Sequence, residues 1–455
     1  MKTPTHWSYA PYRPPFIDVG DIYICRVAPE PDAIVFDWLP AGAEGYRVYF
    51  RRRGAGDFSL AGETGACTFR LCGLIENAEY EFYVAAGEKK SRIRLARCAA
   101  SVGRVVNYLH PEDEAYAFSG RYLCSPSLVR LPDGALLASM DLFAGAHPQN
   151  LTLIYRSDDD GRSWRYVSEL FPCFWGKLFV HAGALYMLSV STEYGDLLIG
   201  RSDDGGRTFT RPVTLLYGGG GKNGEAGVHK NPQPVVTYAG RIWNTLEWGA
   251  WGRKYHAPMV MSAPVYADLL DPGAWSFSEP VKYDPSWPGV AEGPSTGNIE
   301  GCLVPLSDGL YNIMRYDMTK TTPNWGRAVC YRVDCENPEA PLAYARCIDF
   351  PANQSKFIIR YHEGRKMYYS VASRISAEAP GRRNLLSLLR SPDGIHWELD
   401  RDIYDYTHED PAKIGFQYVD FFIEGDEILL LCRTAMAGAH NFHDSNFSTF
   451  DRIQL

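Results

Sequence analysis

No run of about 18 apolar residues occurs anywhere in the 455-residue chain, so nothing in it reads as a membrane-spanning helix. The opening Met1-Lys2-Thr3-Pro4-Thr5-His6-Trp7 has no apolar core of the kind a secretory leader needs. The 11 cysteines are odd in number, scattered, and contain no Cys-x-x-Cys pair. Together these favour reduced thiols in a cytoplasm; a secreted form with its leader removed would read the same way. No block of like charge suggests a polybasic anchor or an acidic tail. The formal net charge of -8 argues against nucleic acid as the partner. No phosphate loop, serine nucleophile elbow or zinc-binding helix signature is present, and neither a cofactor nor a metal is expected. Helical periodicity is missing too, with Ala267-Asp268-Leu269-Leu270 allowing one turn at most.

What the chain does have is aromatic residues and a repeated turn. Aromatics make up 13%, and 29 Tyr with 11 Trp suit sheet faces or carbohydrate-stacking surfaces. The turn is Ser157-Asp158-Asp159-Asp160-Gly161-Arg162-Ser163-Trp164, and it returns as Ser202-Asp203-Asp204-Gly205-Gly206-Arg207-Thr208-Phe209. A shortened echo is Ser391-Pro392-Asp393-Gly394-Ile395-His396-Trp397. The spacing has a physical reason. A short carboxylate accepts hydrogen bonds from the amides of its own turn, glycine supplies φ > 0, and the aromatic pins the next strand to the sheet. The first two copies begin 45 residues apart, the length of a four-stranded propeller blade.

A chain of this length requires more than one domain. Residues 1–20 are Pro- and Tyr-rich and read as an extended segment. Over 21–100 short alternating strands follow one another, such as Ala33–Trp38, Tyr46–Phe50 and Tyr80-x-Phe82-x-Val84. Trp38, Tyr46 and the Leu74…Tyr80 run resemble a fibronectin type III domain, which implies a small β-sandwich with Tyr80 closing a corner before a central strand.

From 101 to 455 a strand, a Gly turn and a second strand recur six times. The units are Ser127–Leu137, Lys177–Tyr186, Gln233–Trp243, Glu300–Tyr311, Lys356–Met367 and Tyr418–Leu429. Six central hairpins imply a six-bladed β-propeller, all-β throughout. The strand near Arg104–Leu109 is placed to close the ring on the last blade and remove an exposed edge.

Six blades with Asp turns behind a small β-domain resemble the sialidase (Asp-box) superfamily. The fourth unit carries the sharpest likeness. Ile299-Glu300-Gly301-Cys302-Leu303-Val304-Pro305-Leu306-Ser307-Asp308-Gly309 keeps that family's Glu and its spacing to Asp-Gly, and Arg315 ends the next strand. The resemblance implies Glu300 as the base for a tyrosine nucleophile and Arg315 as a carboxylate ligand. It also implies Tyr418 as the nucleophile and Arg383 as a second carboxylate ligand. Two positions depart from the family. Cys124 stands where the family has an arginine before Ile-Pro, the nearest arginine being Arg121, and His147 occupies the neighbourhood of the family's acidic proton donor. These departures shift the expectation toward another acidic sugar, such as a uronic acid, and toward His147 as the acid.

A tyrosine nucleophile is a known exception to the paired carboxylates of glycosidases, and a phenol needs a base beside it. An imidazole titrates where proton transfer at neutral pH needs it. Arg433, ending the sixth unit's second strand, is a further candidate anion ligand, and His229, Lys230, Glu247 and His256 lie on the third unit's loop-rich side. Trp248 and Trp251 are candidates for a sugar-stacking platform. His440, His443 and Asp444 invite a metal reading, but their spacing fits no closed site. The expected function is hydrolytic release of a terminal sialic or uronic acid from an oligo- or polysaccharide. The alternatives are a uronate-directed lyase or glycosidase using a His/Tyr pair, and a glycan-binding propeller without catalysis.

Overall fold

In all three Asp turns the carboxylate is the hub. Asp204 accepts from Thr208 N at 2.9 Å, Thr208 Oγ1 at 2.6 Å and Ser202 Oγ at 2.9 Å. Asp159 repeats this with Ser163 and Ser157, and Asp393 accepts from the amides of Ile395 and His396. The glycines are needed for space as well as for φ. A Cβ on Gly161 would lie 2.0 Å from the Phe450 ring, and one on Gly394 would lie 2.5 Å from Leu306. Each turn is thus pressed against the blade before its own. The aromatics complete the dock, with Trp164 edge-on to Phe450 at 5.4 Å and Trp397 edge-on to Phe350 at 5.1 Å.

The computed structural model describes residues 7–10, 12, 14, 17–219, 225–290, 295–318, 326–353 and 355–455. Part of the extended segment expected over 1–20 therefore lies outside the described residues. What is described packs on the propeller: Trp7 bridges to Glu169, and Tyr9 is buried edge-on to Phe209.

Two small sheets come first, one ordered Ile24–Pro29, Ala33–Trp38, Thr68–Cys72. The other is ordered Ser59–Thr64, Tyr46–Arg52, Glu79–Ala86, Lys89–Lys90, with Arg94–Arg97 also on Glu79–Ala86. Their shared interior holds Phe36, Trp38, Tyr46, Val48, Phe82 and Val84. The Tyr80 hydroxyl accepts from Ile75 N at 3.0 Å, closing the corner that the sequence suggested.

Six antiparallel blades follow, each led by one of the expected hairpins, the third and fourth joined in one sheet. The first blade is Tyr122–Arg130, Leu136–Phe143, Thr152–Ser157, Arg165–Leu170, and the second is Phe174–His181, Ala184–Val190, Leu197–Ser202, Val213–Leu216. The third has its inner strand broken into Gly227–His229 and Val236–Tyr238, both pairing with Arg241–Ala250, followed by Tyr255–Pro264 and Ser276–Phe277. Pro232 and Pro234 lie in the break, where a missing N–H cannot serve a ladder. The fourth is Ser295–Leu306, Gly309–Met318, Arg327–Arg332, Ala343–Asp349, and a parallel bridge from His256 to Gly297 joins it to the third. The fifth is Ile358–His362, Met367–Ser373, Leu385–Ser391, Glu398–Asp405. The sixth is Gly415–Glu424, Glu427–Ala435, Phe447–Gln454, and its outer strand is Arg104–Tyr108, so the ring closes as expected. Two short 3₁₀ turns, Trp251–Arg253 and Pro272–Ala274, are the only helical elements among the described residues; Ala267–Leu270 is not helical.

The sandwich is fastened to this closure. Arg26 donates to the carbonyls of Val106 at 2.9 Å and Val105 at 3.1 Å, both on the closing strand, and Val27 N donates to Asn107 Oδ1. Arg94 and Asp113 form a buried ion pair at 2.7 Å, and Tyr23 donates to Glu169 Oε2 at 2.8 Å. Blades meet through aliphatic faces, as where Leu136, Ala138 and Met140 of the first pack with Leu429 and Leu431 of the sixth. Each such leucine or methionine contributes about 1.5–3 kcal/mol on burial.

Asp204→Ala removes the acceptor of three bonds and is expected to cost about 1–3 kcal/mol in urea unfolding at constant m. Asp203→Ala, which releases only the exposed Arg201, is expected to stay within about 0.5 kcal/mol. The Asp204 carboxyl is held below its ordinary range: burial opposes ionisation, but the bonds from Thr208 and Ser202 outweigh it. Its contribution is therefore present above the unfolded carboxylate range and lost as pH falls through the depressed folded value. Equal effects of the two substitutions would contradict the turn's role.

Candidate active site

Four inner strands carry the same irregularity. Ser125, Trp175, Glu300 and Tyr418 lie in the left-handed region, with φ of 50°, 51°, 60° and 53°. Around each the ladder to the second strand shifts register: between Cys124 and Ser127, Phe174 and Lys177, Ile299 and Cys302, and Gln417 and Asp420. A bulge of this kind re-aims one side chain, and a non-glycine residue held there costs about 1–3 kcal/mol.

Buried polar partners hold the strained backbone. Gln233 Nε2 donates to the carbonyls of Glu300 and Phe357, each at 3.0 Å. Lys356 Nζ donates to Val419 O at 2.8 Å. Asp420 accepts from Leu128 N at 2.7 Å and forms a buried ion pair with Lys177. Tyr418 is therefore fixed by its own strand's ties to the first, second and fifth blades.

The re-aimed side chains meet. Arg315 Nη1 donates to Glu300 Oε2 at 2.8 Å and to Tyr418 Oη at 3.1 Å. The Tyr418 hydroxyl is near enough to Glu300 to favour its charged form. Two more guanidinium groups stand on the Tyr418 ring, Arg433 with Cζ 5.1 Å from its centre and Arg383 at 5.4 Å. Arg383 also donates to Gln417 Oε1, and Arg433 to His443 O. Arg433 lies over the Phe143 ring at 5.4 Å, and its charge reaches Cys124. The small Cys124 thus lies beside a guanidinium that the sixth blade supplies, so three arginines converge without one at position 124.

Burial alone would raise the Glu300 carboxyl, but Arg315, His229 and the Tyr418 hydroxyl outweigh it and hold it below the ordinary range. Tyr418 is displaced the other way: burial and then Glu300 raise its phenol, and the three arginines only partly offset them. At neutral pH the pair is a carboxylate beside a neutral phenol, the states a base and its nucleophile need. Arg383 is pushed down to about 10, first by burial, and remains a cation at neutral pH.

A second cluster, tied to the Glu300 strand through Gly301, comes from the second and third blades. His229 Nδ1 lies 2.6 Å from Glu247 Oε2, both residues buried, and Glu247 Oε1 accepts from Gly301 N at 3.4 Å. His256 Nε2 lies 3.1 Å from Tyr194 Oη, which accepts from Trp251 N at 3.1 Å. Trp175 packs edge-on to His229 at 4.5 Å, and Trp251 edge-on to His256 at 4.6 Å. The sequence reading missed Trp175 and Tyr194. Trp175 would have been found by aligning the inner strands at their bulges, where it matches Glu300 and Tyr418.

Of the expected site residues, Tyr418, Glu300, Arg315, Arg383 and Arg433 come together, and His229, Glu247 and His256 belong to the second cluster. Four others are placed differently. Arg121 is ion-paired with Glu114 at 3.1 Å, on the exposed side of the first blade's opening strand. Lys230 is fully buried, its Nζ 3.2 Å from Asn231 O, and it is pushed down to about 7 by burial and then by Lys177. It belongs to the polar layer of lysines and Asp420. Trp248 follows Glu247 on one strand and so faces the other way, into the apolar layer of the second and third blades. His147 sits in the turn after Leu136–Phe143, its N–H on Ala144 O, and neither Tyr418 nor Glu300 bonds to it. At the C-terminal end both oxygens of Asp444 are taken, by His440 at 2.7 Å and His443 at 2.9 Å.

No family model and no curated protein matches the sequence. Solved structures do. Hadza microbial sialidase Hz136 superposes with a TM-score of 0.51 at 12% identity, over 96% of this chain and 95% of its own. An α-L-arabinanase of Penicillium chrysogenum, complexed with arabinobiose, superposes with a TM-score of 0.51 at 15% identity, over 78% of this chain and 98% of its own. The chain shares their fold. The likeness to the sialidase runs through the sandwich as well as the propeller, since it spans nearly the whole chain.

Arg315→Met is expected to leave a buried carboxylate without its cation and to cost about 3 kcal/mol. It should also move the Glu300 titration, followed by carbon NMR of labelled glutamate, to higher pH, because the favouring charge is gone. An unmoved titration would contradict the pairing.

Proposed function

We propose that this protein is a glycoside hydrolase that releases a terminal acidic sugar, sialic or uronic, from a glycan. One observation carries the reading: Arg315 bonds both Glu300 and Tyr418 while two further guanidinium groups stand on the Tyr418 ring. Tyr418 attacks the anomeric carbon, and Glu300 takes the phenol proton. A neutral phenol approaches an anionic sugar with less repulsion than a carboxylate would. Arg315, Arg383 and Arg433 hold the substrate carboxylate by charge-assisted bonds. The two solved relatives named above are a sialidase and an arabinanase; the arginine cluster favours an anionic over a neutral sugar.

The test is turnover of aryl sialosides, aryl uronides and neutral aryl glycosides by wild type, Tyr418→Phe and Glu300→Gln. Turnover of one acidic class is expected, with losses of about 10²–10⁴ in each variant. Equal turnover of a neutral arabinoside, undiminished in Tyr418→Phe, would overturn the reading. An unsaturated uronate product, seen by its ultraviolet absorbance, would establish a lyase instead. Binding of an acidic sugar that survives Tyr418→Phe, without turnover by wild type, would leave a glycan-binding propeller.

A further inference from the structure

The hydrolase reading lacks a proton donor for the departing oxygen, and the third blade holds a built one. Glu247 is fully buried and uses both oxygens: one on His229 Nδ1 at 2.6 Å, the other on the amide of Gly301 at 3.4 Å. Gly301 directly follows Glu300, so the carboxylate that orients the imidazole is tied to the strand that carries the base. With Nδ1 engaged, the ring presents Nε2. That nitrogen has no hydrogen-bond partner among the described residues. Trp175 packs edge-on to the ring and fixes its plane. A buried carboxylate on one ring nitrogen sets the tautomer and the orientation of an imidazole.

We infer that His229 is the proton donor to the leaving group and that Glu247 is its positioning residue. The inference rests on the hydrolase reading above. In the first step a bond forms from Tyr418 Oη to the anomeric carbon, and Glu300 receives the phenol proton. The glycosidic C–O bond breaks, its electron pair stays on the departing oxygen, and that oxygen takes the Nε2 proton of the His229 imidazolium. In the second step neutral His229 accepts a proton from the attacking water, the tyrosyl C–O bond breaks, and Glu300 returns its proton to Tyr418. The balance is one glycoside and one water giving one sugar and one alcohol. The titratable groups around the ring are Glu247 and His256 from its own blade, Tyr194 from the second and Glu300 from the fourth.

The experiment compares two glycosides of the same acidic sugar, one with a nitrophenyl and one with an alkyl leaving group. A nitrophenolate departs without a proton, and an alkoxide does not. His229→Gln is expected to lose about 10²–10⁴ in the first turnover of the alkyl glycoside and less than tenfold in the first-turnover release of nitrophenol, with azide restoring steady turnover of the nitrophenyl glycoside as the glycosyl azide. Glu247→Gln, which keeps the ring, is expected to lose selectively on the alkyl glycoside too and serves if His229→Gln does not fold. Equal losses on both leaving groups, with wild type active, would overturn the proton-donor role alone. No wild-type turnover of any acidic glycoside would overturn the hydrolase reading and this inference with it.

Discussion

A carboxylate, a phenol and a guanidinium in mutual contact near the propeller axis set the terms for everything around them. Glu300 and Tyr418 arrive on different blades, and each is turned out of its strand's alternation by a left-handed residue at a bulge. Neither conformation is stable by itself. The cost is offset by Gln233 on the Glu300 carbonyl, Lys356 on the Val419 carbonyl, and Asp420 bridging to Lys177 and Leu128. The polar layer beneath the site is therefore the support that lets two side chains point where an ideal strand would not send them.

That support has an electrostatic consequence. A buried carboxylate would ordinarily be driven toward its neutral form, yet Glu300 remains an anion because Arg315, His229 and the Tyr418 hydroxyl favour the charge. The same carboxylate works with burial to keep Tyr418 protonated. Arg383 and Arg433 oppose this only in part, and Arg383 is lowered first by burial and then by the charges of Arg315 and Arg433. Glu300 balances one of the three guanidinium groups, so the place keeps an excess of positive charge that an anion would offset.

The six hairpins, the closing strand and the Asp turns were legible because each rests on local chemistry: alternation, glycine at φ > 0, and a carboxylate among amides of its own loop. Glu300, Arg315, Arg383 and Tyr418 were singled out by the resemblance of their strands to the sialidase pattern, and the structure brings them together with Arg433. Trp248 was misplaced for a reason period 2 already contains, since it neighbours Glu247 and must face the other side of the strand, into the apolar layer of the second and third blades. The His229–Glu247 pair escaped notice as a pair because the third inner strand is broken at its prolines, and the register of His229 against Glu247 follows from Gly227–His229 alone. Lys230, one residue on, drops into the buried layer, while Arg121 is drawn to the surface by Glu114. A register shift moves a side chain from one face to another, and a sequence does not print its bulges.

The central claim is that Tyr418 forms a covalent bond to an acidic sugar. Incubation with a fluorine-substituted acidic glycosyl fluoride, followed by digestion and mass spectrometry, tests it most directly. The account predicts one sugar mass on the peptide containing Tyr418, absent from Tyr418→Phe and greatly slowed in Glu300→Gln. Labelling of a carboxylate residue instead, with Tyr418 unmodified in an active enzyme, would contradict it.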